Sequence, residues 1–213
     1  MKFCVIGLGR LGNQIAITLA ENGMDVMAID SNELAVNSVC DKVAQAVCIQ
    51  SIDEQSLRDV GVDQIPTVIV TMGSDFETST LVTVLLKKKF NIPNVITRAT
   101  NENHKEILKL IGADHYFLPE KEVGIRLADK LSSPFMDLIR LDEEFCVSQI
   151  MTPKQYVGEQ LNTINFFQKY NIHCIGIKKA DNIISGDLNC VITEKDKLIF
   201  AGKNSDLETF VQQ

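Results

Sequence analysis

Near the start of the chain, Gly7-Leu8-Gly9-Arg10-Leu11-Gly12 places a G-x-G-x-x-G spacing between an apolar run, Phe3-Cys4-Val5-Ile6, and a segment of helical period. This spacing suits phosphate chemistry. The first glycine permits a tight turn, the second lets backbone approach a pyrophosphate, and the third lets a helix pack closely on a strand, while the helix N-terminus offers free N–H groups and a favourable dipole. Asp30 closes the second apolar run about 20 residues further on, where an acid accepts hydrogen bonds from ribose hydroxyls. It is followed by Ser31 and not by an arginine, so a ribose 2′-phosphate finds no partner and NADP is disfavoured. Arg10 and Leu11 lie inside the loop. The Arg10 guanidinium could fork onto terminal phosphate oxygens, as ATP would offer, or lie along the helix surface in water.

Ligands of open α/β sheets bind beyond the carboxyl ends of the strands. Three further groups follow candidate strands: Gln50-Ser51, which could reach a base edge, Gly73-Ser74-Asp75, and Arg98. Ser74 or Asp75 can equally cap the next helix. No G-x-x-x-x-G-K-[ST], G-x-S-x-G or His-Glu-x-x-His occurs, and His104, His115 and His173 have no partner at metal or triad spacing. The reading is of a binding protein without a catalytic constellation. Lys87-Lys88-Lys89 reads as a solvated helix end that complements the dipole.

A chain of 213 residues, 45% hydrophobic and 23% charged, can bury a sizeable core in one large domain or two modest ones. Its 21 basic against 28 acidic residues give a net charge of -7, the wrong sign for a nucleic-acid backbone. Apolar runs such as Leu81 to Leu86 are far short of the roughly 20 residues that cross a bilayer. The N-terminal run is too brief for a signal peptide, so the expected location is the cytoplasm. The six cysteines show no Cys-x-x-Cys pair and read as reduced core residues.

The elements that must position the glycine loop follow from hydrophobic period. Apolar runs at Phe3 to Ile6, Val26 to Ile29, Ala46 to Ile49, Thr67 to Met72, Val95 to Arg98 and His115 to Leu118 alternate with helical stretches, which predicts a doubly wound parallel sheet. Asn22-Gly23 closes the first helix, Ser31 or Asn32 can cap the second, Asp53 caps the third and Gly61 ends it. After Pro119 a helical stretch runs to Leu131. Ser132-Ser133-Pro134 then interrupts it and places a domain boundary near residue 134, with Phe135 to Ile139 as a second helical piece. The remaining residues, 135–213, read as a small α+β module: a strand at Phe145 to Ile150, a helix around Gly158 to Lys169, strands at His173 to Ile177 and Leu198 to Ala201, and a closing helix from Ser205. At roughly 75 residues, such a module is a candidate for pairing with a copy of itself.

Taken in order, the glycine loop, Asp30, Val68-Ile69-Val70 with Gly73, Ile92-Pro93-Asn94, Gly112-Ala113-Asp114 and Pro119-Glu120-Lys121 resemble the RCK (KTN) proteins, regulatory subunits of Ktr and Trk potassium uptake systems. The resemblance covers essentially the whole chain, its C-terminal module being similar to the RCK_C (TrkA_C) domain. It implies a Rossmann-like RCK_N domain over 1–134 and RCK_C over 135–213, dimers that assemble into an octameric ring, and attachment through a membrane-embedded potassium-translocating subunit at the inner face of the membrane. It also implies that exchange of ATP and ADP sets transporter activity, with an NAD(H)-sensing regulator as the alternative, since the Trk branch can bind both nicotinamide and adenine nucleotides. Carried over, Gly7, Gly9 and Gly12 would cradle phosphates, Arg10 would contact the terminal phosphate, Asp30 the ribose and Arg98 a phosphate. Glu120 would help to hold a divalent or monovalent cation near the phosphates. Some RCK_C domains bind cyclic-di-AMP; here Ser185-Gly186-Asp187 lacks the proline common in that loop, and Gln50-Ser51-Ile52 replaces a more polar segment. The rival reading from the fingerprint and Asp30 alone is an NAD-dependent oxidoreductase, which the absence of a proton-transfer residue counts against.

Overall fold

The computed structural model describes residues 2–73, 75–132, 137–142, 144–180, 182–185 and 189–212. The chain divides into two compact units, Met1–Pro119 and Glu120–Gln213.

In the first unit β1 (Lys2–Ile6), β2 (Asp25–Asp30), β3 (Gln45–Cys48), β4 (Thr67–Val70), β5 (Asn94–Arg98) and β6 (His115–Phe117) form a sheet in the order β3-β2-β1-β4-β5-β6. Every pairing is parallel. Alternate residues of the central strands enter opposite cores. Cys4, Ile6, Val68 and Val70 join one cluster, Val5 and Ile69 the other, as the two-residue period of a strand requires. With both faces covered, β4 is buried at all four positions, which is why the strand appears in the sequence as a continuous apolar run.

The helices of this unit are α1 (Arg10–Glu21), α2 (Glu33–Asn37), α3 (Glu54–Asp59), α4 (Phe76–Val84) and α5 (Glu102–Ile111). The expected caps form: Asn32 accepts from Leu34 N and Ala35 N, and Asp53 and Ser56 make a reciprocal capping box. α4 runs on into a π-helical turn, Leu85–Lys89. That turn corrects the reading of the three lysines as a solvated end. Lys88 and Lys89 are exposed, but Lys87 is directed inward, donating to Ile92 O at 3.0 Å and Asp114 Oδ2 at 2.9 Å. The cysteines also need correction: Cys4 and Cys146 are buried, Cys174 and Cys190 half-buried, and Cys40 and Cys48 exposed. Cys40 lies in the turn after α2, and Cys48 ends the edge strand β3, which has a neighbour on one side only.

The second unit opens with α6 (Pro119–Ser132), followed by β7 (Asp137–Arg140), β8 (Phe145–Met151), α7 (Phe166–Tyr170), β9 (His173–Lys179), β10 (Asn182–Ile184), β11 (Lys197–Lys203) and α8 (Asn204–Val211). The strands form an antiparallel sheet in the order β10-β9-β11-β8-β7. An aromatic core holds it together. Phe166 meets Phe200 edge-on at 4.9 Å, Phe200 meets Phe210 at 5.0 Å, and the Tyr156 and Tyr170 hydroxyls are 2.9 Å apart.

Two expectations fail here. Residues 137–140 are a strand and not helix, because antiparallel pairing with β8 turns Leu138 to the core and leaves Ile139 outside. The expected helix over 158–169 shrinks to α7, preceded by single 3-10 turns at Lys154–Tyr156 and Leu161–Thr163. Gly158 at φ +90° breaks the run, and Asn165 caps the short helix that remains.

Candidate functional site

A cleft of about 600 Å³ opens at the carboxyl ends of the strands of the first unit. Gly7 and Gly9 reach it from β1, Asp30 and Ser31 from β2, and Ile52 from the segment after β3; Thr71, Met72, Gly73 and Asp75 follow β4, and Arg98 ends β5. The chain winds from β1 outward to β3 and then crosses back to β4 on the other side of β1. The cleft therefore lies at the switch point of the sheet, where both adjoining loops turn away and leave room for a ligand.

The glycine loop is built as its spacing predicts. Gly7 adopts φ +94°, a conformation that favours glycine, and its N–H donates to Ile29 O at 2.8 Å. A Cβ on Gly12 would overlap the Gly7 carbonyl oxygen and crowd Thr71 Oγ1. Above Gly9 the space is open, with nothing within 4 Å of where a Cβ would stand. The second glycine thus leaves room for a ligand and the third for the protein's own backbone.

α1 is left ready for an anion. α2, α3, α4 and α5 each begin with an Asn or Asp whose side chain accepts from the first turn, but Gly9 gives α1 no side-chain cap, and its first turn holds no acidic residue. The free N–H groups and the positive dipole end consequently face the cleft uncompensated. Arg98 adds a cation at the far wall. Its guanidinium lies against Gly73, where any Cβ would overlap it. Asp75 caps α4 and is held below the usual carboxylate range by the Thr78 hydroxyl and then by the Thr78 N–H.

Asp30 ends β2 with both carboxylate oxygens engaged by backbone: Oδ2 accepts from Leu8 N and Oδ1 from Asn32 N at 2.8 Å. Each oxygen keeps a second acceptor position. Arg10 is the first residue of α1 and exposed, and Leu11 beside it is half-buried. Gln50 and Ser51 have local partners, Cys48 Sγ at 3.7 Å and Asp53 Oδ2 at 3.3 Å, and Ile52 is the residue of that segment that lines the cleft. Ser74 lies outside the described residues. Glu120 sits in the first turn of α6, in the second unit. Among the described residues, no three His, Cys, Asp or Glu side chains come together as a metal site.

Thr71, Met72 and Ile52 were not singled out by spacing. A polar residue placed directly after a wholly buried strand was the available signal for Thr71, whose hydroxyl donates to Gly7 O at 2.6 Å.

Comparison with known proteins agrees with this architecture. Residues 3–119 match the TrkA-N domain family. The chain is 34% identical to Ktr system potassium uptake protein C of Bacillus subtilis over 98% of its own length and 95% of the relative's, and 33% identical to Ktr system potassium uptake protein A of the same organism over the same shares. Among solved structures, the TrkA-N domain of the inner membrane protein ybaL from Escherichia coli superposes with a TM-score of 0.56 at 16% identity, covering 61% of this chain and 96% of that one. The GsuK channel bound to NAD superposes with a TM-score of 0.54 at 23% identity, covering 99% of this chain but only 38% of that one.

Proposed function

The chain belongs to the TrkA-N family of Ktr potassium uptake proteins, and from that membership and the geometry of the cleft we propose that it is the cytosolic, nucleotide-binding regulatory subunit of a potassium uptake system. The observation that carries this reading is the α1 N-terminus, alone among the first five helices in lacking a side-chain cap and opening over Gly9 onto a cleft with Arg98 at its far wall. Such a site holds phosphate by backbone N–H groups. Gly7, Gly9, Leu11 and Gly12 shape the cradle. Arg10 reaches the terminal phosphate, Asp30 and Ser31 hold the ribose, and Gln50 and Ser51 stand toward the base. Gly73, Ser74 and Arg98 close the phosphate side, and Glu120 helps to hold a cation beside the phosphates. The ligand is ATP or ADP, with NAD(H) as the alternative that the same cleft admits.

Regulation by such a ligand is a matter of differential affinity and needs no catalytic base. Residues 1–134 would act as the nucleotide-binding domain and 135–213 as a second, self-associating domain that in some forms takes cyclic-di-AMP. Dimers assembled into an octameric ring would pass the difference between ATP and ADP to a membrane-embedded potassium-translocating subunit at the inner face of the membrane. The test is the thermal stability of the purified protein with ATP, ADP, NADH and NAD at matched concentrations. A ligand at about 100 times its Kd stabilises by roughly 2.7 kcal/mol. ATP and ADP are expected to raise Tm most; a preference for NADH would make this an NAD(H)-sensing regulator, and no response to any of the four would overturn the nucleotide reading.

A further inference from the structure

We infer that Thr71 is the positioning residue of the phosphate loop, holding with Asp30 the two ends of one peptide unit, Gly7–Leu8, so that the loop keeps the shape in which Asp30 and the start of α1 face the nucleotide. The inference rests on the nucleotide reading above and concerns a residue to which neither spacing nor resemblance assigns a role. Three observations converge on this peptide. Its carbonyl accepts from Thr71 Oγ1 at 2.6 Å, its N–H donates to Asp30 Oδ2, and Gly12 lacks the side chain that would crowd that same hydroxyl. Thr71 is itself fixed, only 4% exposed, with its N–H on Ile6 O at 2.9 Å and its hydroxyl also within 3.2 Å of that carbonyl.

The tether matters because of the residue it holds. Glycine occupies mirror-image backbone regions at little cost, so the peptide that follows Gly7 can turn over unless both its ends are fastened. A turned peptide would take the Leu8 N–H from Asp30 and set the Gly7 carbonyl oxygen against that carboxylate. The acid expected to hold the ribose is therefore joined through a single peptide to a hydroxyl directly after β4, and ribose-side and phosphate-side recognition share one rigid element.

The test uses the full-length protein. Thr71→Val keeps the β-branched shape and removes the donor, Thr71→Ser keeps the donor, and Thr71→Ala replaces the valine variant should that not fold. ADP and ATP affinities are measured by calorimetry, and the Leu8 amide proton is followed by NMR without ligand. Loss of one hydrogen bond predicts an affinity about three- to tenfold weaker for both nucleotides in Thr71→Val, a displaced Leu8 amide resonance, an otherwise unchanged spectrum, and restoration of both readouts in Thr71→Ser. Affinities within twofold of the parent in Thr71→Val, or no restoration by serine, would overturn the inference while leaving nucleotide binding intact. A parent protein that binds neither nucleotide would remove both together.

Discussion

At the scale of single residues, the three loop glycines serve different purposes and separate under mutation. Gly9 has an ordinary backbone conformation, φ -61° and ψ -175°, and open space where a Cβ would stand. Gly9→Ala should therefore leave the unfolding free energy nearly unchanged while its methyl group blocks the approach of phosphate. Gly12→Ala should do the opposite first: its methyl group overlaps the Gly7 carbonyl, an overpacking that costs about 1–3 kcal/mol. Urea denaturation paired with ADP titration checks both, and a normally stable Gly12→Ala would mean that α1 can shift away from the loop. Arg10, exposed at the first position of α1, belongs to a different class. Arg10→Ala should weaken ATP more than ADP, since a charge-assisted contact to a terminal phosphate exists for only one of them. Equal loss for both nucleotides would rule out a contact to the terminal phosphate.

At the scale of elements, α4 and α5 are joined by a histidine. His104 is fully buried; its ring lies 4.6 Å from that of Phe76, and its Nδ1 stands 3.2 Å from Thr100 Oγ1. Burial holds its pKa below the ordinary imidazole value. The unfolded chain, titrating near 6.5, therefore binds more protons than the folded one in the window just below that pH. Stability should be complete above about pH 6.5 and fall as the pH drops beneath it. The urea midpoint at pH 5.5 against 7.5 measures this, and His104→Phe should flatten the difference; an unaltered slope would place the effect elsewhere. The same unit shows how much of the fold could be read from residues. The six parallel strands fall on the apolar runs, most plainly at β4, which is buried throughout, and the loop between the first of them and a helix has a spacing with one dominant use. What escaped reading lacked such a periodic signal. Leu161, Ile164 and Phe166 fall near helical spacing, yet they reach the core of the second unit from a single turn, the segment after it and one five-residue helix. Thr71 acts on a residue 64 positions away, and no local pattern records a contact made only when β4 comes to lie beside β1.

At the scale of the whole molecule, apolar surface remains uncovered. α6 exposes Val123, Leu127 and Leu131 at 59%, 55% and 78%, and these recur every fourth residue on one side of the helix. Asp129 near its end is fastened by Arg140 through two hydrogen bonds of 2.6 and 2.8 Å. A helix so anchored and so bare suits the self-association proposed above. Leu127→Asp should lower the assembled fraction in sedimentation velocity with little loss of monomer stability, and an unchanged sedimentation profile would exclude this face from the assembly. The uncapped start of α1 has a last consequence, in time rather than in structure. Where α2 to α5 carry their own caps, the opening turn of α1 has only water to satisfy its donors until an anion arrives. Its amides should therefore exchange their hydrogens for deuterium fastest among the helix starts of the sheet unit. Nucleotide should slow that exchange selectively, so that occupancy of the cleft can be followed by a clock built into four backbone positions.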